Sequence, residues 1–118
     1  MIIGIGCDIV EKKRVLKAQG NSKFAERILS FAEIEFYETM PEILKINFLA
    51  GRFAAKEAFS KALGYGIGAK LSFKDISILN NEYGAPKLTC AIMQDNEVCH
   101  ISIAHESDYA VAYCIIEN

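Results

Sequence analysis

Residues 43 to 68 read ILKINFLAGRFAAKEAFSKALGYGIG, a helical pattern that runs into Gly64, Gly66 and Gly68. Leu49, Phe53, Ala54 and Phe59 fall on one side of a 3.6-residue period and give the helix an apolar face for a core. Glu57, Ser60, Lys61 and Gly64 stand at i, i+3, i+4 and i+7, so a carboxylate and an amine share a second stripe. Gly64 is expected to cap the helix, with a flexible loop behind it. Because that loop leaves the negative end of the helix dipole, an anion beside it needs lysines, a metal ion or loop amides. Two chemistries suit the stripe. A Glu four residues before a Lys forms a helix ion pair of ~0.2–0.5 kcal/mol. With a second acid nearby, the same groups suit phosphate chemistry, the carboxylate holding magnesium and the ammonium neutralising a phosphoryl oxygen.

The candidate second acid lies in residues 1 to 15, MIIGIGCDIVEKKRV. Ile3, Ile5, Cys7 and Ile9 alternate with Gly4, Gly6 and Asp8, which predicts a strand with one apolar face and one face bare except for a carboxylate. The two glycines leave room for another backbone or a ligand beside Asp8. Asp8 is then either a metal ligand or the cap of a following helix, with Glu11 placed as in a capping box. A dinucleotide fingerprint is excluded, since its third glycine is missing and the acid comes too soon.

Along the rest of the chain, a helix is expected over 11–18, ended by Gly20 and Asn21, and a second from Ser22 through Leu29. Ser30 with Glu33 forms a capping-box signature for a third helix, stopped by Pro41. The period then changes: residues 71–80, 87–92, 98–104 and 109–117 are strand-like, with short connections that favour antiparallel neighbours. Cys99, Ile101, Ile103 and His105 share one strand face. The expected fold is α+β, an antiparallel sheet packed on the long central helix, with the N-terminal strand able to join it.

A chain of 118 residues with 52% hydrophobic content suits one domain over 1–118, with no room for two. The net charge of −2 argues against general nucleic-acid binding. Its distribution is uneven: residues 1–27 carry six basic and three acidic side chains, which suits either a docking face for an acidic partner or an ordinary solvated helix surface. Cys7, Cys90, Cys99 and Cys114 lack any C-x-x-C pairing and read as small buried apolar residues in a reducing cytosol. With neither a signal-peptide pattern nor a run of ~18 apolar residues, a soluble cytoplasmic protein away from membranes is expected.

Four segments, GIGCDIVEKKRV (4–15), KFAERILSFAEIEFY (23–37), FLAGRFAAKEAFSKALGYGIG (48–68) and SIAHESDYAVA (102–112), resemble in order and spacing the holo-acyl-carrier-protein synthases. These are the small 4′-phosphopantetheinyl transferases of bacterial fatty-acid synthesis. The resemblance implies a phosphopantetheinyl transferase-like fold and a magnesium-dependent transfer of 4′-phosphopantetheine from coenzyme A to a serine of apo acyl carrier protein, releasing adenosine 3′,5′-bisphosphate. It implies Asp8 and Glu57 as metal ligands and Lys61 beside the diphosphate. Coenzyme A would meet Ser60, Lys61, Gly64, Gly66, Ile67 and Gly68, and, from a neighbouring subunit of a homotrimer, Gly84, Pro86 and His105. Glu57, Lys61 and His105 form the catalytic set. His105 orients a phosphate, while the base for the carrier serine is either Glu57 or a metal-bound water. Arg14, Lys17, Lys23, Phe24 and Arg27 are the expected carrier-docking residues. Ile43, Leu44 and Ala85 stand where the family often has basic residues, with Lys45 and Lys87 nearest in sequence, and Glu106 stands where a small hydroxyl residue is frequent.

Overall fold

The alternation at the N-terminus becomes strand β1 (Ile2–Glu11), and the computed structural model describes residues 1–20 and 23–118. The helix end expected at Asn21 and the start expected at Ser22 lie outside the described residues. Among the described residues four helices follow the strand: α1 (Lys12–Gln19), α2 (Phe24–Ile28), α3 (Phe31–Glu38) and α4 (Glu42–Leu63). Then come β2 (Ile76–Asn80), β3 (Pro86–Cys90), β4 (Val98–His105) and β5 (Tyr109–Glu117). The α+β class, the antiparallel pairing and the long helix are as expected. The strands, however, divide into a three-stranded sheet of order β1-β5-β4 and a separate β2-β3 pair.

Side chains account for part of that division. The Ile78 N–H on β2 donates to a Glu33 oxygen at 2.7 Å, and the Ile78 carbonyl accepts from Arg52 Nε at 3.0 Å. This edge of β2 is therefore satisfied by α3 and α4 rather than by another strand. The strand expected from residue 71 starts only at Ile76, because Phe73–Asp75 forms a 3₁₀ turn in which the Ser72 N–H donates to the Asp75 carboxylate at 2.9 Å. The Ser30–Glu33 capping box opens α3 with both of its reciprocal hydrogen bonds, at 2.8 and 3.4 Å.

Helix α4 packs on the inner face of the three-stranded sheet, where Ala110, Ala112, Cys114 and Ile116 of β5 are buried. A Cβ on Gly6 would lie 1.8 Å from the Ala58 carbonyl oxygen, and one on Gly4 would lie 2.0 Å from that of Ala62. The two glycines thus serve a backbone approach. They turn the apolar side of β1 outward, leaving Ile5 and Ile9 each 64% exposed. Cys7 goes with them and is exposed, against the expectation of burial, while Cys114 is buried and Cys90 and Cys99 are half-buried. Asp8 caps no helix: β1 continues to Glu11, and the first amide of α1, Lys12 N–H, donates to the Asp108 carbonyl at 2.8 Å.

Candidate active site

The contact of Gly6 with Ala58 carries Asp8, two residues along on the same strand face, toward Glu57 in α4. Both carboxylates line a cleft of about 430 Å³, together with Glu11, Arg14, Phe24 and Phe53. Lys61 Nζ lies 3.0 Å from Asp8 Oδ1 and donates also to the Cys7 carbonyl at 3.0 Å. The lysine therefore reaches across to β1, and among the described residues its ion pair is with Asp8 rather than with Glu57. Burial raises the Glu57 pKa above the usual carboxylate range, the charge of Asp8 raises it further, and Lys61 opposes both.

The donor set fits a hard divalent cation. Two carboxylates converge on an open cleft, and among the described residues no group of three or more His, Cys, Asp or Glu is placed to hold a metal. Magnesium takes one or two carboxylates and completes its octahedron with water and phosphate oxygens, so a larger protein cage is unnecessary. A cation here would also relieve the repulsion felt at Glu57.

The other expected residues are distributed unevenly. Ser60 is 1% exposed and its hydroxyl donates to the Glu57 carbonyl at 2.8 Å, so it faces its own helix instead of continuing the polar stripe. Gly64 caps α4 at φ 89°, a left-handed conformation that favours glycine, and Gly66 and Gly68 lie open behind it with Ile67 half-buried. Gly84 has φ 83° in the β2–β3 turn, where Asn81 Oδ1 accepts from the Tyr83 and Ala85 amides at 2.9 and 3.0 Å, and Pro86 opens β3. His105 ends β4 facing α4, and a Cβ on Gly51 would come within 3.0 Å of its ring. Burial, then the charges of Lys12 and Arg52, lower its pKa from the ordinary imidazole value. Gly84, Pro86 and His105 do not line the Asp8–Glu57 cleft.

Arg14 lines that cleft and is exposed, as are Lys17, Lys23 and Arg27, and Phe24 is half-buried on the cleft with its ring 5.6 Å from that of Phe53 and 5.8 Å from the Arg27 guanidinium. Ile43 is 81% exposed, and Lys45 is engaged with Glu42 at 3.0 Å and with the Tyr37 ring at 5.2 Å. The sequence reading missed Gly51, Arg52 and the fully buried pair of Lys56 with Glu33. One signal was available for the pair: Lys56 follows Leu49 and Phe53 at i+7 and i+3, a charge on the apolar stripe of α4.

A profile of the 4′-phosphopantetheinyl transferase superfamily matches residues 4–114. The holo-[acyl-carrier-protein] synthase of Bacillus subtilis is 51% identical over 119 residues, covering 100% of this chain and 98% of that protein. The corresponding protein of Geobacillus kaustophilus is also 51% identical, covering 100% and 91%. Among solved structures, the holo-(acyl-carrier-protein) synthase of Bacillus anthracis in complex with CoA (3′,5′-ADP) superposes with a TM-score of 0.91 at 43% identity, covering 100% of this chain and 98% of that one. That of Helicobacter pylori in complex with coenzyme A gives 0.81 at 37% identity, covering 96% and 99%.

Proposed function

The chain belongs to the 4′-phosphopantetheinyl transferase superfamily and transfers 4′-phosphopantetheine from coenzyme A to a serine of apo acyl carrier protein, and we propose that Asp8, Glu57 and Lys61 carry that transfer. The observation behind this assignment is that Asp8 and Glu57 line one cleft while Lys61 pairs with Asp8 at 3.0 Å. Asp8 and Glu57 would hold magnesium, which when bound neutralises charge on the diphosphate oxygens. The serine oxygen bonds to the phosphorus that bears pantetheine, the bond from that phosphorus to the bridging oxygen breaks, and adenosine 3′,5′-bisphosphate leaves. Lys61, exposed and long enough to leave Asp8 for a phosphate oxygen, stabilises the charge that develops. Glu57, which lines the cleft beside Asp8, is the group assigned to take the serine proton. Mass spectrometry of apo carrier incubated with the enzyme, coenzyme A and magnesium should show the gain of one phosphopantetheine. An unmodified carrier would end this reading.

Coenzyme A is assigned to Lys61, Gly64, Gly66, Ile67 and Gly68 of one subunit and to Gly84, Pro86 and His105 of its neighbour in a homotrimer. Ser60, whose hydroxyl donates to the Glu57 carbonyl at 2.8 Å and keeps its lone pairs as acceptors, is assigned to the same set. His105, held neutral near pH 7 by its lowered pKa, has a ring N–H to offer a phosphate oxygen. One observation supports the assembly: the outer face of the sheet exposes Ile3, Ile5, Ile9, Tyr109, Tyr113 and Ile115, an apolar surface that a partner copy would cover. Changing Ile5 and Tyr113 together to lysine is expected to yield single chains by light scattering and to abolish transfer. A native enzyme with the mass of one chain would refute the trimer.

Arg14 and Phe24 line the cleft, and with the exposed Lys17, Lys23 and Arg27 they are assigned to the acidic carrier, the charges steering it and Phe24 supplying an apolar contact. Arg14→Glu should raise the KM for the carrier about tenfold while leaving that for coenzyme A nearly unchanged. Added salt should weaken native docking, since exposed charges are screened over about 8–10 Å. Equal carrier kinetics in the native and reversed proteins would move the docking face elsewhere. We assign the reaction to fatty-acid synthesis in the cytoplasm, a reducing compartment that suits the free thiols of Cys7, Cys90, Cys99 and Cys114.

A further inference from the structure

Lys56 and Glu33 are both fully buried, and their side chains tie together five segments of the chain. Lys56 Nζ donates to Glu33 Oε1 at 2.5 Å, to the Ile28 carbonyl of α2 at 2.7 Å and to the Phe73 carbonyl in the 3₁₀ turn at 3.0 Å. Glu33 accepts in addition from the Ser30 amide at the start of α3, at 2.8 Å, and from the Ile78 amide of β2, at 2.7 Å. All three ammonium donors are thus placed. Removing both charges from water costs several kcal/mol per ion, which their attraction only partly offsets, so such a pair adds little net stability over apolar side chains of equal volume. Burial accordingly pushes the Lys56 pKa down, with Glu33 opposing. What an apolar pair would lack is direction, since a three-donor head fixes each acceptor at one distance and angle.

The positions fixed in this way bear on the cleft. Helix α2 has five residues, too few to hold a helix without tertiary contacts. Its Phe24 lines the cleft beside Asp8 and Glu57. The Phe24 ring lies 5.6 Å from that of Phe53, which lies 5.5 Å from that of Phe73. Lys56 binds the carbonyl that ends the helix of Phe24 and the carbonyl of Phe73 itself, while standing one turn from Phe53 on α4. It therefore grips the aromatic row at both ends.

We propose that Lys56 and Glu33 are positioning residues that hold α2, the wall of the cleft met by the acyl carrier protein, at a fixed place against α4. This rests on the assignment of Lys23, Phe24 and Arg27 to the carrier. The test is Lys56→Met combined with Glu33→Gln, which removes both charges and keeps one acceptor oxygen where the carboxylate gives separate oxygens to the Ser30 and Ile78 amides. The KM for the carrier should rise about tenfold, with kcat and the KM for coenzyme A changed less than about twofold, and Lys56→Arg should keep carrier KM near native. A folded double variant with native carrier KM, or one losing kcat and both KM values together, would overturn the proposal. Should the double variant not fold, Glu33→Gln alone decides by hydrogen exchange: amides 25–29 should exchange faster than in the native enzyme, and native rates would overturn it. Arg27→Glu separates the two ideas. If it leaves carrier KM unchanged, the docking assignment fails; if it raises carrier KM while the pair variants do not, this inference fails alone.

Discussion

Glu57→Ala is expected to slow phosphopantetheine transfer by roughly a hundredfold or more while leaving the fold in place. The carboxylate is half-buried on the cleft wall, so its removal opens no core cavity. The loss is chemical: a lone Asp8 remains to hold the metal, and Lys61 is already paired with it. Asp8→Ala should cost a similar factor by a different route, since it also releases the Lys61 ammonium from its partner at 3.0 Å. Single-turnover transfer at saturating magnesium, with a thermal melt of each variant alongside, reads the chemistry and the fold separately. Near-native turnover in Glu57→Ala would remove it from the metal and catalytic sets.

The largest stability effect is expected from one methyl group on Gly6. A Cβ there would lie 1.8 Å from the Ala58 oxygen, 2.8 Å from its carbonyl carbon and 2.9 Å from the Ala62 nitrogen. All three are backbone atoms of α4 and cannot rotate aside. The strand cannot slide away either, because β1 is paired with β5 from Ile2 to Glu11. Gly6→Ala must then push strand and helix apart, at a cost on the order of 3 kcal/mol, or about 10 °C in Tm. Transfer should fall with it, since the same contact brings Asp8 to Glu57. Gly66→Ala is the control for stability, with nothing within 4 Å of its Cβ. A Gly6→Ala protein that melts within about 2 °C of the native would show that the sheet and helix have slack at this contact.

Several features of this fold were legible in the chain because they are decided within about four residues. The 3.6 period of residues 42–63, the Ser30–Glu33 box, the left-handed Gly64 and the period-two strand of residues 109–117 all belong here. The candidates Asp8, Glu57 and Lys61 were legible for the same reason, as acids and an amine on readable faces. Their partnerships were not. The local spacing of Glu57 and Lys61 suits an ion pair, yet Lys61 reaches Asp8, 53 residues away in the chain. Ser60 has the period of the polar stripe but turns to a carbonyl of its own helix. Lys56 stands on the apolar stripe of α4, but its partner Glu33, 23 residues earlier, is met only in the folded chain. Which side of β1 faces inward was likewise a tertiary decision. Ile3, Ile5 and Ile9 are the more hydrophobic side, but only the glycine side lets the backbone of α4 approach so closely. Periodicity reports which side chains share a face; what that face meets depends on packing between segments far apart in sequence, where steric fit and the satisfaction of buried polar groups outweigh local preference.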